Sequence, residues 1–302
     1  MIIPVTVPGT LSNLGSGFDV AGMAVDVYNQ FVFNAEPPGE GLLVDQRPPA
    51  ADDAVISAML AAEASFGGRM PKNLHISTAV QVPRRRGLGS SATARVAGTI
   101  AYLQLNQIEA SVERVLAFLA ELEGHPDNAA PALLGGFCVA RAAASGVTAR
   151  SFRPPAELAV ALCIPSVEVS TDDARRVLPE APSRADAVFA LGHFGTLVAG
   201  LLTGDEAAIG EGLHDRLHEP WRKPLIGPVD EAFSAARREG AAGAFISGSG
   251  STLAAFVLGG RVNPQRIADV MRVVFKEHGI KAEARVVRPV PLGAWAISRA
   301  FS

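Results

Sequence analysis

One segment constrains this chain more than any other: Val82-Pro83-Arg84-Arg85-Arg86-Gly87-Leu88-Gly89-Ser90-Ser91-Ala92-Thr93-Ala94. Leu74 to Val82 reads as a strand that runs into this segment. From Ser91 onward Val96, Ile100 and Leu103 fall on one face of a helix that reaches Leu105. A strand, a basic glycine turn and a helix N-terminus in this order form a cradle for an anion. Gly87 and Gly89 have no Cβ, so phosphate oxygens can approach the backbone. The first helical turn offers free N–H groups and the positive end of the helix dipole. Ser90 and Ser91 add hydroxyls for phosphate or magnesium, and Arg84, Arg85 and Arg86 add positive charge. No Gly-Lys-Ser/Thr follows, so this is not a Walker loop, and the spacing is not that of a dinucleotide fingerprint. Taken alone, the segment also fits a Gly-Ser turn capping an ordinary helix.

Two further glycine-rich segments change that balance. One is Pro8-Gly9-Thr10-Leu11-Ser12-Asn13-Leu14-Gly15-Ser16-Gly17-Phe18-Asp19, and the other is Gly243 through Thr252 with Ser247-Gly248-Ser249-Gly250 at its centre. Each adjoins a predicted strand or helix, so the three loops are expected to share one site. The remaining pattern mixes strands and helices without strict alternation, which predicts α+β rather than a doubly wound parallel sheet. A first strand is expected to break at Pro8-Gly9. Residues 187–202 are expected to form a buried helix. Arg153-Pro154-Pro155 marks an expected boundary between a domain at 1–150, which carries the phosphate loop, and a domain at 151–302.

Composition narrows the class further. Of 302 residues, 48% are hydrophobic, enough for a sizeable core, and the net charge is −3. That balance predicts no nucleic-acid or membrane partner. Cys138 and Cys163 sit in apolar runs without ligand spacing and read as buried, reduced thiols of a cytoplasmic protein.

The three segments resemble, in order and spacing, the three signature motifs of the GHMP kinase superfamily, with Gly87-Leu-Gly-Ser-Ser-Ala92 the most specific. Within it, Asn13-Leu-Gly-x-Gly-Phe-Asp19 and Glu123-Gly-His-Pro-Asp-Asn128 are similar to the homoserine kinase branch, as are the stretches around Arg175 and Arg222. The resemblance implies a ribosomal protein S5 domain 2-like N-terminal domain and a ferredoxin-like C-terminal domain. It implies transfer of the ATP γ-phosphoryl group to the hydroxyl of L-homoserine in threonine biosynthesis. Other readings are another GHMP kinase acting on a threonine- or shikimate-like hydroxyl, or a non-catalytic sensor on the same fold. Members are often homodimers, so the resemblance allows a homodimer here, which the residues alone do not derive.

Residue by residue, the resemblance implies nucleotide contacts from Pro83 through Ala92 and from Gly248 and Gly250. Ser91 and Glu123 match the magnesium ligands. Arg175 and Arg222 suit a substrate carboxylate through forked donors. Asp19 suits the ammonium, and Asn13 and Asn128 the polar end or hydroxyl. Asp127 stands where related kinases place a general base, yet the homoserine kinase resemblance implies catalysis by positioning, which phosphoryl transfer permits. His214 and His218 have the i, i+4 spacing of a zinc motif, with no third ligand in sight. The chain departs from the family in having Gly9, Ser16 and Ser251 where alanine, proline and proline are usual, which predicts looser loops.

Overall fold

The opening alternation and the run after Val20 pair into one long antiparallel hairpin, β1 (Ile2–Ser12) with β2 (Ala21–Asn34). The computed structural model describes residues 1–300 apart from Pro38, Ser145 and Arg261. Pro8-Gly9 does not end β1. The register shifts there as a bulge, and the strand continues to Ser12. A bulge already lacks regular ladder bonds, so a proline fits without breaking the sheet. The consequence is functional, because β1 delivers Thr10, Ser12 and Asn13 to the middle of the molecule.

The first sheet is completed by β3 (Leu42–Val44), β4 (Leu74–Val80), β5 (Phe137–Ala143) and β6 (Gly146–Phe152), in the order β3-β4-β2-β5-β6 with β1 alongside β2. Four helices cover it: α1 (Ala54–Phe66), α2 (Ser90–Leu105), α3 (Val112–Glu123) and α4 (Pro126–Leu134). Asp53 caps α1 by accepting from the amides of Val55 and Ile56, at 3.0 and 3.1 Å. Ser111 caps α3 through the amide of Arg114 at 3.2 Å. Helix α4 has Pro126 in its first turn and Asp127 behind it, both favoured helix-start residues. Ile3, Val5, Phe31, Phe33, Met59, Tyr102 and Leu119 belong to the core between sheet and helices.

After Phe152 the chain builds a second sheet. Strand β7 (Ala159–Pro165) is followed by α5 (Thr171–Arg176), α6 (Arg184–Thr203), α7 (Glu206–Gly212), α8 (Glu219–Ile226) and α9 (Val229–Arg238). Then come β8 (Gly243–Ile246), β9 (Leu253–Val257), α10 (Pro264–Glu277), β10 (Ala282–Val287) and α11 (Ala294–Ala300). The sheet order β10-β7-β9-β8 is antiparallel throughout. With helices after β7 and β9, this is the split β-α-β arrangement of a ferredoxin-like sandwich. Every residue of β7 and β9 is buried, since α9 and α10 cover one face and α6, α7 and residues of the first half of the chain cover the other. Leu11, Met23, Val82 and Phe137 share a core with Val160, Phe245 and Phe256, and α11 returns to pack on β1 and α4. Helix α6 is not the buried helix expected. Ala190, Leu197, Gly200 and Leu201 face inward, whereas Val188 and Leu191 are 63% and 74% exposed.

Both cysteines are buried and free, and burial pushes each thiol up to about 12.

Candidate active site

The three glycine segments meet, and backbone bonds sew them together. Thr10 donates its amide to Leu88 O at 3.1 Å, Gly248 donates to Ser12 O at 3.0 Å, and Thr252 donates to Arg86 O at 3.2 Å. The Ser247 hydroxyl adds a bond to Gly87 O at 2.6 Å. The glycines are required by this packing as well as by any ligand. A Cβ on Gly87 would lie 2.0 Å from Ser247 O, and one on Gly89 2.0 Å from Thr10 Oγ1; both residues have φ near +70°. The serines that stand in for family prolines restore rigidity by bonding across the molecule. Ser16 Oγ donates to Gly212 O at 2.6 Å, and Ser251 Oγ to Val167 O at 2.5 Å.

A cleft of about 460 Å³ opens where these loops meet. Pro83, Arg85, Arg86 and Gly87 through Ala92 line one end, with Leu88 and Ala92 directing their side chains into the core. Arg86 is committed to the second half of the chain, donating to Val167 O and Ser166 O at 3.1 and 3.2 Å. Arg84 is exposed and outside the lining, whereas Gly250, also outside it, is buried, turns the loop and packs against Ile226. Gly248 lines the cleft.

Asp19, Arg175 and Arg222 form the other end. Helix α5, capped by Ser170, brings Arg175 to Asp19 in a bidentate pair of 2.9 and 3.1 Å. Burial lowers the Arg175 pKa and the Asp19 bonds more than restore it, so the net shift is upward. Arg222 is 3% exposed and donates to Gly248 O at 2.9 Å and Ala174 O at 3.3 Å. Burial brings its pKa down to about 10, with Asp19 pulling the other way, so it stays charged at neutral pH. It makes no surface ion pair with Glu219, whose buried carboxyl accepts from Ile246 N at 2.7 Å. The Phe18 ring lies 5.2 Å from the Arg222 guanidinium and 6.0 Å from that of Arg175.

Between the two ends, Asn13 accepts from Asp19 N and donates to Gly248 O, both at 3.0 Å. Asn128 donates to Ser12 Oγ at 2.9 Å and accepts from Thr10 Oγ1 at 2.7 Å. Asp127 is 2% exposed and 2.5 Å from His125 Nδ1. Burial raises the Asp127 pKa, but the bond and charge of His125, helped by Ser12 and Arg175, bring it below the usual carboxylate range. Burial likewise lowers His125, and Asp127 overcomes it to leave a raised pKa. The two form an ion pair.

Ser91 Oγ and Glu123 Oε1 are 3.4 Å apart, and Arg95 Nη1 stands 2.6 Å from the same Glu123 oxygen. Arg95 was not foreseen. Its place one helical turn after Ser91 was the available signal. The zinc pattern does not assemble. His214 bonds Glu211 O, whereas His218 caps α8 and is 2.9 Å from Gly15 O, and Asp215 accepts three backbone amides rather than facing a metal.

Family models for the GHMP kinases N terminal domain and the GHMP kinases C terminal match residues 53–136 and 197–280. This chain belongs to the GHMP kinase family. It falls among the homoserine kinases of that family. The homoserine kinase of Trichormus variabilis is 38% identical over 288 residues, covering 94% of this chain and 95% of that protein. The homoserine kinase of Aquifex aeolicus is 35% identical over 296 residues, covering 95% and 97%. The crystal structure of homoserine kinase from Cytophaga hutchinsonii superposes with a TM-score of 0.84 at 32% identity, covering 97% of this chain and 96% of that one.

Proposed function

We propose that this cleft transfers the γ-phosphoryl group of ATP to the side-chain hydroxyl of L-homoserine, releasing ADP and O-phospho-L-homoserine. The observation that carries this is one cleft with two unlike ends. One is an anion cradle of glycine turns at a helix N-terminus, and the other is a paired charge set suited to a zwitterion. Amides at the start of α2 hold the triphosphate. Arg175 and Arg222 take the substrate carboxylate, and Asp19 takes the ammonium. Asn13 and Asn128 hold Asp19, Ser12 and Thr10 in register, which fixes where the hydroxyl stands.

Ser91 and Glu123 supply a hydroxyl and a carboxylate, a hard oxygen pair that suits Mg²⁺, with Arg95 sharing the carboxylate. When bound, the ion neutralises charge on the β- and γ-phosphates. Asp127 is a weak proton acceptor, because its pKa is depressed and His125 holds one of its oxygens. Catalysis therefore rests on alignment and charge stabilisation rather than on a strong base.

A coupled ADP-release assay with ATP, Mg²⁺ and L-homoserine, L-threonine, L-serine, shikimate or mevalonate tests the proposal. Turnover led by homoserine supports it. Turnover led by another hydroxyl compound overturns the assignment of Arg175 and Arg222, and no ADP release with any of them overturns the proposed reaction.

A further inference from the structure

His218 belongs to a zinc-like pattern that does not assemble, yet its ring is wholly buried beside the charge end of the cleft. Its two nitrogens face unlike neighbours. Nε2 is 2.9 Å from Gly15 O, and Nδ1 is 3.3 Å from Arg222 Nη1. A carbonyl oxygen only accepts, and a guanidinium only donates. Nε2 therefore carries the ring's one proton and Nδ1 is bare. No other tautomer satisfies both contacts, and a second proton on Nδ1 would point at the Arg222 guanidinium.

Arg222 is oriented by acceptors on two of its three nitrogens. Nε donates to Ala174 O at 3.3 Å, and Nη1 donates to Gly248 O at 2.9 Å as well as to His218 Nδ1. Both N–H groups of Nη1 are thus committed. Nη2 has no partner among the described residues and is not sealed from the cleft that Arg222 lines. It is the nitrogen left for a ligand. His218 itself is held firmly, one helical turn before Arg222. Its amide donates to Asp215 Oδ2 at 2.8 Å, and its ring stacks on Phe18 with centroids 5.2 Å apart. Gly15 and Phe18 belong to the loop that ends in Asp19, so one imidazole ties that loop to Arg222.

We propose that neutral His218 is a positioning residue that aims Arg222 Nη2 at the carboxylate of the amino-acid substrate. The proposal rests on the reading of this cleft as a homoserine site. Preference for an α-carboxylate then comes from a donor that needs no ordering when substrate binds. The charged groups around the ring are Arg222, Asp19 and Asp215, whose Oδ2 is 3.7 Å from Nε2. Burial holds the imidazole below its usual range; Arg222 acts with burial, and Asp215 and Asp19 oppose it.

Three substitutions separate the contacts. His218→Asn sets an amide oxygen where Nδ1 stands. His218→Gln keeps a donor for Gly15 O without that acceptor, and His218→Phe keeps the ring on Phe18 with neither. Each is assayed with L-homoserine and with 3-amino-1-propanol, which is the same molecule without its carboxylate. The preference for L-homoserine, as a ratio of kcat/KM, should shrink about ten-fold in His218→Gln and His218→Phe and recover most of that in His218→Asn. The KM for ATP should hold within about two-fold. Equal losses on both substrates, or no recovery in His218→Asn, overturn the proposal and leave His218 a packing residue. A wild type that neither binds nor phosphorylates L-homoserine overturns the substrate reading and the proposal with it. Nitrogen-15 NMR of histidine-labelled wild type, assigned by the signal lost in His218→Asn, tests the same point without a change in the cleft. A neutral ring protonated on Nε2 at neutral pH is expected, and a charged ring or one protonated on Nδ1 overturns the proposal.

Discussion

The two ends of the cleft are made from different parts of the polypeptide. The end around Gly87 and Gly89 is largely backbone, and its side chains turn inward or bond to other loops. The end around Asp19, Arg175 and Arg222 is side-chain charge on three separate segments. A backbone site is spoiled by adding an atom, whereas a charge site is spoiled by removing one. The mutational signatures of the two ends should therefore be opposite.

Arg222→Ala is the strongest test. The guanidinium is 3% exposed and bonds to Gly248 O and Ala174 O. Losing it removes charge-assisted bonds to substrate, takes the guanidinium donor from Ala174 O and leaves Gly248 O with Asn13 alone. Homoserine kcat/KM should fall by about 10³-fold, on the order of 4 kcal/mol, while the KM for ATP moves only a few-fold. Arg222→Lys should recover little, because an ammonium cannot reproduce the fork. An equal rise in both KM values would break the division of the cleft. Gly87→Ala should invert the pattern. Its Cβ would sit 2.0 Å from Ser247 O at a φ of +74°, costing about 3 kcal/mol in strain and displacement. Thermal melting and ATP KM should report the loss, with homoserine KM nearly unchanged.

The same contrast explains what the sequence discloses. The backbone end was legible because glycines, serines and a strand-to-helix transition occupy consecutive positions. The charge end was not, since nothing in local pattern ties residue 19 to residues 175 and 222. Only likeness to a family suggested their meeting. The bulge at Pro8-Gly9 was hidden because a Pro-Gly pair also ends strands, and only the partner strand decides between the two. Reading Gly87 and Gly89 as places for phosphate to approach, or as a helix-capping turn, did not disclose Ser247 and Thr10, contacts set by tertiary packing. Arg95 was overlooked because a charged residue on a helix usually faces solvent. The exposed face of α6 was hidden by its apolar composition, which by itself reads as core.

Glu219 links the two ends, since α8 carries both it and Arg222, and its carboxyl accepts from Ile246 N beside the Ser247-Gly248 loop. Burial raises its pKa from 4.5 to about 8. A folded-state pKa above the unfolded one means this contribution is complete below pH 4.5 and is lost as pH rises through about 8. Glu219→Gln keeps an oxygen for Ile246 N and cannot ionise. Denaturant melts should show the variant overtaking the wild type by about 2 kcal/mol above pH 8. Parallel pH profiles would show that Glu219 is not a titrating tie.

The smallest effect belongs to the His125–Asp127 pair, where the two ends meet. His125 is raised above 6.5, chiefly against burial and through its bond to Asp127, so its contribution is full below pH 6.5 and fades as pH rises through its folded value. Asp127 is lowered below 3.8, so its contribution is present above pH 3.8 and is lost as pH falls through its folded value. Between those limits both charges are held. His125→Gln should cost about 1 kcal/mol there, and less in alkaline solution, where the wild-type imidazole has lost its proton. It should also loosen Asp127 without freeing it as a base, so kcat should gain no new rise through the carboxylate range. A stability cost independent of pH would mean that the contact is a neutral hydrogen bond. A kcat that climbs with pH through the carboxylate range of Asp127 would make that residue a proton acceptor, and the cleft would then act by more than alignment.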